Sequence, residues 1–465
     1  MSRTAAPSGA EPSTAPPRAT SFDVVAYLTL WLVLLYGLSA RQVVPGLGAI
    51  CTPAMLVVLP TMLIWAAGWI LPQSGLDRGR HPIRTALMVY FAYQVLSFAV
   101  ANSRPLTELE SNGSVRALLT AAAMAGVGLL VADGVRDEAR LTTLLHRLVG
   151  AVTFVSVFGI VQFYTRQPMQ VLVPGLEWNR TPIGVGGRGE FGRPASTTLH
   201  PIEFSVITAS LLPLALHFAL HARTIHQRRN AALASGLIAL AVPLSVSRSG
   251  VVSLVVALGI LFAGWRGRRL IHGLLTVIIA IPVLWATVPG IVGTFIGLFT
   301  DTEHDPSIQA RINRGPRVMA VIRERPWLGL GNGTFSVEDY FLIDNEVYGT
   351  TLEMGIIGLA LTFALLGLAV LIALGIRALP TADAATRHLA LAIAAAIAAL
   401  TISLFTFDAF FYRIQTGTLF LLIGATGALW RMHDGSHHIG QAIHRARQNR
   451  TQARTSAASL QPENR

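Results

Sequence analysis

Apolar runs long enough to cross a bilayer recur twelve times along this chain of 465 residues. They stand near 22–40, 46–71, 85–101, 117–133, 148–165, 202–221, 231–247, 250–265, 272–293, 350–376, 389–407 and 415–430. A crossing helix needs about 20 apolar residues, and in hydrocarbon only helices and closed barrels satisfy their own backbone hydrogen bonds. Continuous runs of this length point to helices. The expected fold is all-α: a polytopic membrane protein with about 12 transmembrane helices. Composition agrees, with 52% hydrophobic and only 13% charged residues, whereas a soluble domain carries roughly a quarter charged. A soluble globular enzyme is excluded.

Arginine placement orients the spans. All 36 basic residues are arginine, and cytoplasmic loops are the ones that collect them. With twelve crossings, 22 arginines fall on one side (in the leader, 72–84, 134–147, 222–230, 266–272, 377–388 and the tail) and 14 on the other. Counting acidic residues too, the two faces carry +13 and −1. The arginine-rich face is read as cytosolic, with both termini on it.

Three regions follow. Residues 1–21, rich in Pro, Ala, Ser and Thr, read as a disordered cytosolic leader. Residues 22–430 form the polytopic membrane domain. Residues 431–465 form a basic cytosolic tail with His437, His438, Arg445, Arg447 and Arg450, which either lies on anionic lipid or is solvated. No signal-peptide cleavage pattern follows the first apolar run. The single cysteine, Cys51, permits no intrachain disulfide and no cysteine-based metal site; no cofactor, metal or nucleic-acid partner is read.

Two outer segments, 166–201 and 294–349, exceed what a connection needs and form the expected site. The first holds Arg166, Arg180, Arg188 and Arg193 with a glycine-rich run, Gly184, Gly186, Gly187, Gly189 and Gly192, suited to bringing backbone amides close to a ligand. In the second, Asp305-Pro306 reads as a helix start, followed by Arg311 and Arg314 one turn apart. Gly315-Pro316 is expected to break that helix. A second short helix with Arg317 and Arg323 would end at Arg325-Pro326. Ile308, Ile312, Val318, Val321 and Ile322 make the pair amphipathic. Arginine retained on a face that usually lacks it suggests a bound anion, since its planar fork matches phosphate or carboxylate. Ion pairing with Glu177, Glu190, Asp301, Glu303 and Glu324 is the alternative.

Arg248 sits in Ser247-Arg248-Ser249-Gly250 between two apolar runs with almost no loop. A charge there is costly unless it is paired, snorkels, or faces a polar cavity; a cavity-facing anion ligand is the preferred reading. Asp408 and Arg413 bracket the last outer turn and read as structural. Trp178, Trp327, Phe335, Tyr340, Phe341 and Tyr348 in the outer segments either face sugar rings or anchor the interface.

Four stretches together resemble the O-antigen ligase and O-antigen polymerase superfamily. They are Gly192-Arg193-Pro194 through Leu199-His200-Pro201, Ser247 through Gly250, Ser307 through Arg311 to Pro326-Trp327-Leu328-Gly329-Leu330-Gly331-Asn332-Gly333, and Asp344-Asn345 through Glu353 to Leu359. The likeness covers roughly 190–370. It implies an integral-membrane enzyme, metal-independent and inverting, that moves a glycan from a polyprenyl diphosphate carrier to an acceptor hydroxyl on the outer face of the cytoplasmic membrane. The donor partner would be a polyprenyl-diphosphate-linked glycan and the acceptor a glycan or lipid, among membrane lipids. The resemblance assigns Arg193, Arg248 and Arg311 to the diphosphate, and Arg314 joins them by its position one turn on. One departure stands out: the His-Asn pair of the family reads Asp344-Asn345 here. Asp344, Glu346 and His200 are the candidates to activate the acceptor. A polymerase on the same carrier, and a transporter or flippase of lipid-linked sugars, remain alternatives; transporters place ionisable groups near the bilayer midplane, whereas here they gather at span ends.

Overall fold

The computed structural model describes residues 23–47, 51–71, 76, 79–167, 173–178, 191–300, 306–335 and 343–433. The expected leader, most of the glycine-rich run with Arg180 and Arg188, the Asp305 helix start, Tyr340, Phe341 and the basic tail lie outside these residues.

The described residues are almost wholly helical. In order they form α1 (Val24–Gly37), α2 (Pro53–Val58), α3 (Thr61–Ile70), α4 (Pro82–Ala101), α5 (Glu108–Gly134), α6 (Glu138–Thr165), α7 (Pro201–Leu220), α8 (Ile225–Leu244), α9 (Arg248–Ala263), α10 (Arg268–Thr287), α11 (Ile291–Thr300), α12 (Pro306–Glu324), α13 (Glu346–Ala378), α14 (Ala384–Ser403) and α15 (Arg413–His433). A short 3-10 turn, Ala409–Phe411, precedes α15. Eight helical stretches among the described residues are long and apolar enough to cross a membrane, and α1 and α9 are shorter apolar helices. The all-α polytopic class is therefore as expected, while the count of twelve rests on the sequence windows alone. Two-residue strands β1 (Gln42–Val43) and β2 (Glu177–Trp178) pair antiparallel and tie the connection after α1 to the segment after α6.

Helix ends alternate between two ends of the bundle, and polar contacts fix which ends meet. At one end Arg140 pairs with Asp23 (2.8 Å), Thr386 Oγ1 donates to Glu138 Oε1 (2.7 Å), and Arg431 donates to the carbonyls of Ala132 and Val135. At the other, Ala40 N donates to Thr197 O (2.9 Å) and Glu346 N to Leu404 O (3.0 Å). The second is the site end. The core is built where α15 packs against α5 and where α7 and α14 pack together: Leu211, Leu214, Ala394, Ile397, Leu421 and Ile423 are fully buried.

Two helices break inside the expected spans, and the freed backbone groups find partners, as hydrocarbon surroundings demand. Pro60 separates α2 from α3 because it has no N–H to donate. Beside the break, Thr61 Oγ1 donates to Val58 O (2.6 Å) and Ala123 O (2.9 Å), and Tyr27 donates to Val57 O. In α13 the break falls at Gly355, with φ +67°. There the segment 326–333 docks into the gap: Leu330 N donates to Leu352 O (3.0 Å), Gly331 N to Glu353 O (2.8 Å) and Ile356 N to Pro326 O (2.8 Å). Tyr93 donates to Met354 O (2.6 Å).

The expected pair of short helices in 306–325 is corrected. α12 runs unbroken from Pro306 to Glu324 with Pro316 inside it. A proline costs a helix one hydrogen bond and a carbonyl clash, which kinks rather than ends it when packing holds both halves. Here Val318 and Ile322 anchor the second half against Leu352, Phe335 and Ile343. The stop before Arg325-Pro326 is as expected.

Candidate active site

The site end gathers polar side chains where the starts of α7, α9, α13 and α15 meet. Helix starts carry partial positive charge and unsatisfied N–H groups, so each brings donors as well as side chains.

Arg193 lies in the extended segment leading to α7. That segment is held by Phe191 stacked on Phe163 (5.9 Å), by Ser196 N donating to Gln162 Oε1 (2.7 Å), and by Thr197 Oγ1 donating to Tyr36 O (2.8 Å). Its Nε reaches Ser245 O (3.4 Å), three residues before Arg248. Arg248 is half-buried at the first position of α9, behind Ser247, whose side chain makes no cap hydrogen bond. Val246, fully buried, has φ +47°. A β-branched residue in the left-handed region is strained by roughly 1–3 kcal/mol, and that strain sits in the turn that aims Arg248. Gly250 faces Ser205 so closely that a Cβ would collide with it, so α9 and α7 touch directly behind the site.

Arg314 of α12 pairs with Asp344 (3.5 Å), each about a third exposed. The two residues expected to hold the diphosphate and to activate the acceptor are thus neighbours. Arg311 lies one turn earlier on the same helix. Glu346, at the first position of α13, accepts from Thr350 Oγ1 (2.8 Å) with one oxygen and from Phe410 N (2.9 Å) with the other, and so ties α13 to the 3-10 turn. Asn345 caps α13, accepting from Val347 N (3.0 Å), while its amide donates to Phe405 O (3.1 Å). His200 caps α7, its Nδ1 accepting from Ile202 N (3.1 Å), and its ring lies 6.3 Å from that of Tyr412. Trp178 sits under Arg41 (6.0 Å); Trp327 is 65% exposed.

Sequence reasoning missed two central residues. Glu203 is fully buried in the first turn of α7. One oxygen accepts from Leu199 N (2.9 Å) and the other from Ile414 N (3.1 Å) and Gln415 N (3.4 Å), which fastens the start of α15 to the start of α7. Arg413 lies beside it, with Arg116 of α5 close by. A carboxylate inside an apolar run is a signal in its own right. Tyr412 carried no such signal. Burial pushes its phenol well above the usual range, the neighbouring Asp408, Glu203 and Asp344 carboxylates push the same way, and Arg193 opposes them. Its hydroxyl therefore stays protonated at neutral pH, at a point sensed by Asp344 and Arg193 together.

The O-antigen ligase family model matches residues 233–363. The match runs from α8 through the break in α13 and takes in Arg248, Arg311, Arg314, Asp344 and Glu346, while Arg193 and His200 lie before it. No curated protein matches the chain. The family indicates activity of the O-antigen ligase or polymerase type. Residues 233–363, set within an all-α membrane bundle, are thus similar to the O-antigen ligase family.

Proposed function

We propose that this protein transfers a glycan from a polyprenyl diphosphate carrier to an acceptor hydroxyl, ligase in type, at the site end of the bundle, facing the outside of the cytoplasmic membrane. The observation that carries the reading is that Arg193 reaches the turn just before Arg248, Arg314 pairs with Asp344, and Tyr412 feels both Arg193 and Asp344. Breaking the bond between the sugar and the diphosphate leaves growing negative charge on the carrier. Fixed guanidinium donors and helix N-termini aimed at that charge stabilise it as it develops. A site at the end of membrane helices also lets the carrier's lipid remain in the bilayer.

Asp344 takes the acceptor proton as the hydroxyl oxygen attacks the anomeric carbon. Its ion pair with Arg314 orients the carboxylate and couples the acceptor side to the diphosphate side. Glu346 and Glu203 position the starts of α13 and α15, and Tyr412 stands near Asp344 and Arg193 with its hydroxyl protonated.

The test is reconstitution of the purified protein in vesicles with a polyprenyl-diphosphate glycan and a mixed acceptor pool, following release of polyprenyl diphosphate. Wild type should release it, and Arg248→Ala and Asp344→Asn should release it far more slowly. Movement of the intact glycan-lipid across the vesicle, with no release, would refute the transfer reading and favour transport.

A further inference from the structure

At the opposite end of the bundle, three histidines converge in a setting that the transfer site does not use. His217 and His221 lie one turn apart at the end of α7, and His388 lies in the first turns of α14. Their ligand-capable atoms all lie within 4.8 Å of one another. His217 and His388 are each 5% exposed, and His221 is half-buried, which leaves a way in. The cluster is 17 residues from His200 along α7, about 25 Å at the helical rise.

The hydrogen bonds define which nitrogens offer lone pairs. His221 Nδ1 faces His217 O (3.3 Å), and the carbonyl can only accept. A neutral His221 therefore keeps its proton on Nδ1 and presents Nε2, the usual arrangement of a metal-ligating histidine. Trp265 Nε1 donates to His388 Nε2 (2.9 Å). That places the proton of a neutral His388 on Nδ1, from which it is donated to His217 Nδ1 at 3.1 Å. His217 Nδ1 thus also carries a lone pair pointing into the cluster. The 3.1 Å separation is close to the roughly 3.3 Å between two nitrogens of a tetrahedral ion with metal–nitrogen bonds of about 2.05 Å.

We propose that His217, His221 and His388 form a binding site for a divalent transition-metal ion of the zinc class, with Trp265 as its gate. Three imidazoles and no thiolate suit zinc, cobalt, nickel or copper rather than magnesium or calcium, and water can complete the set. Binding replaces the proton shared by the two Nδ1 atoms. That proton leaves His388 Nδ1 for solvent, and one returns to Nε2, so the ring stays neutral. His388 Nε2–H then meets the Trp265 N–H, donor against donor, and the indole must turn away. The surrounding charges are Arg269 and Arg377, which oppose a cation, and Asp383, which favours it. Arg377 is partly engaged, donating to Gly264 O (2.8 Å). Because α7 and α14 supply the three ligands, the ion would clamp the far ends of two helices whose near ends lie at the transfer site.

The experiment uses the full chain without a polyhistidine tag, in lipid nanodiscs, stripped with a chelator and titrated with Co²⁺. A His437→Ala/His438→Ala background removes the tail histidines as competitors. The expected result is one Co²⁺ per chain with the visible bands of a tetrahedral site, displaced by Zn²⁺. Three imidazole ligands should be counted by X-ray absorption on this protein before any cluster residue is changed. His217→Gln and His388→Gln should each weaken binding by more than about 100-fold, since even supporting residues around a metal cost 10–100-fold. Trp265→Phe should tighten it about 2–10-fold, the worth of one hydrogen bond. Absence of a tetrahedral spectrum, fewer than three imidazoles, or weaker binding in Trp265→Phe would overturn the proposal; the ligand count decides it even where a glutamine variant fails to fold.

Discussion

Arg248 is the residue on which the transfer reading presses hardest. Removing one preorganised donor at a developing anion costs about 10²–10³ in rate, so Arg248→Ala should lower polyprenyl diphosphate release by that factor while leaving thermal unfolding nearly unchanged. Arg248→Lys keeps the charge but loses the planar fork, and should fall between the two. Glu203→Gln makes the contrasting case. Both its oxygens are acceptors for backbone N–H groups, and an amide leaves one of those donors facing another donor. A loss of about 1–3 kcal/mol in stability is expected, read as a lower unfolding temperature in detergent. Sequence alone made Arg248 visible because a charge between apolar runs is expensive. It did not single out Glu203, although the same cost applies within 202–221. Tyr412 was invisible, since only the fold surrounds it with Asp408, Glu203, Asp344 and Arg193.

Among elements, α13 and the docked segment 326–333 behave as one unit. Gly355 has φ +67°, and a Cβ there would strike the backbone of Trp327; at Gly331, with φ +103°, it would strike Ala101. Gly355→Ala should therefore destabilise by more than the 1–3 kcal/mol of the backbone conformation alone, and should lower transfer by displacing α12 and its arginines. An unfolding series with Gly367→Ala, where a Cβ meets nothing, checks that the effect belongs to the break. The sequence located α12 through its hydrophobic period, and its end through Arg325-Pro326. It misjudged Pro316, because tertiary packing of Val318 and Ile322 outweighs a local breaker. It also could not see that 326–333, written there as a motif, serves the backbone of a helix some 25 residues away. The histidine cluster hid for the same reason: His217 and His221 have helical spacing, but the third member comes from α14.

Arginine counts in the sequence predict that the end opposite the site is cytosolic, and that orientation is open to a direct test. Cys51 is the only cysteine, so Cys51→Ser provides a clean background for labelling. In intact cells an impermeant maleimide should modify Ser103→Cys at the site end and spare Thr224→Cys at the other. The reverse pattern would place the transfer site in the cytosol. Buried charge holds the bundle together across its early helices. Arg84 pairs with Asp133 (3.3 Å), and Asp133 also accepts from Trp65 Nε1 (2.9 Å). Leaving one buried charge without its partner costs about 3–5 kcal/mol, so Asp133→Ala should unfold at markedly lower temperature than wild type.

The place of α15 at the centre of the packing has a consequence for how the protein is made. Tyr36 of α1 shares a hydrogen bond with Thr418 (2.5 Å), and His81, before α4, with Gly427 O (3.0 Å). Translation at about 5–20 residues per second separates Tyr36 from Thr418 by roughly 20–80 s. Throughout that interval the early helices wait in the bilayer with polar groups whose partners on α15 are not yet made. A chain stopped after 410 should therefore insert and yet be degraded, which pulse-chase of the truncated and full chains would reveal. On that outcome, the arrival of α15 would be what marks the bundle as complete.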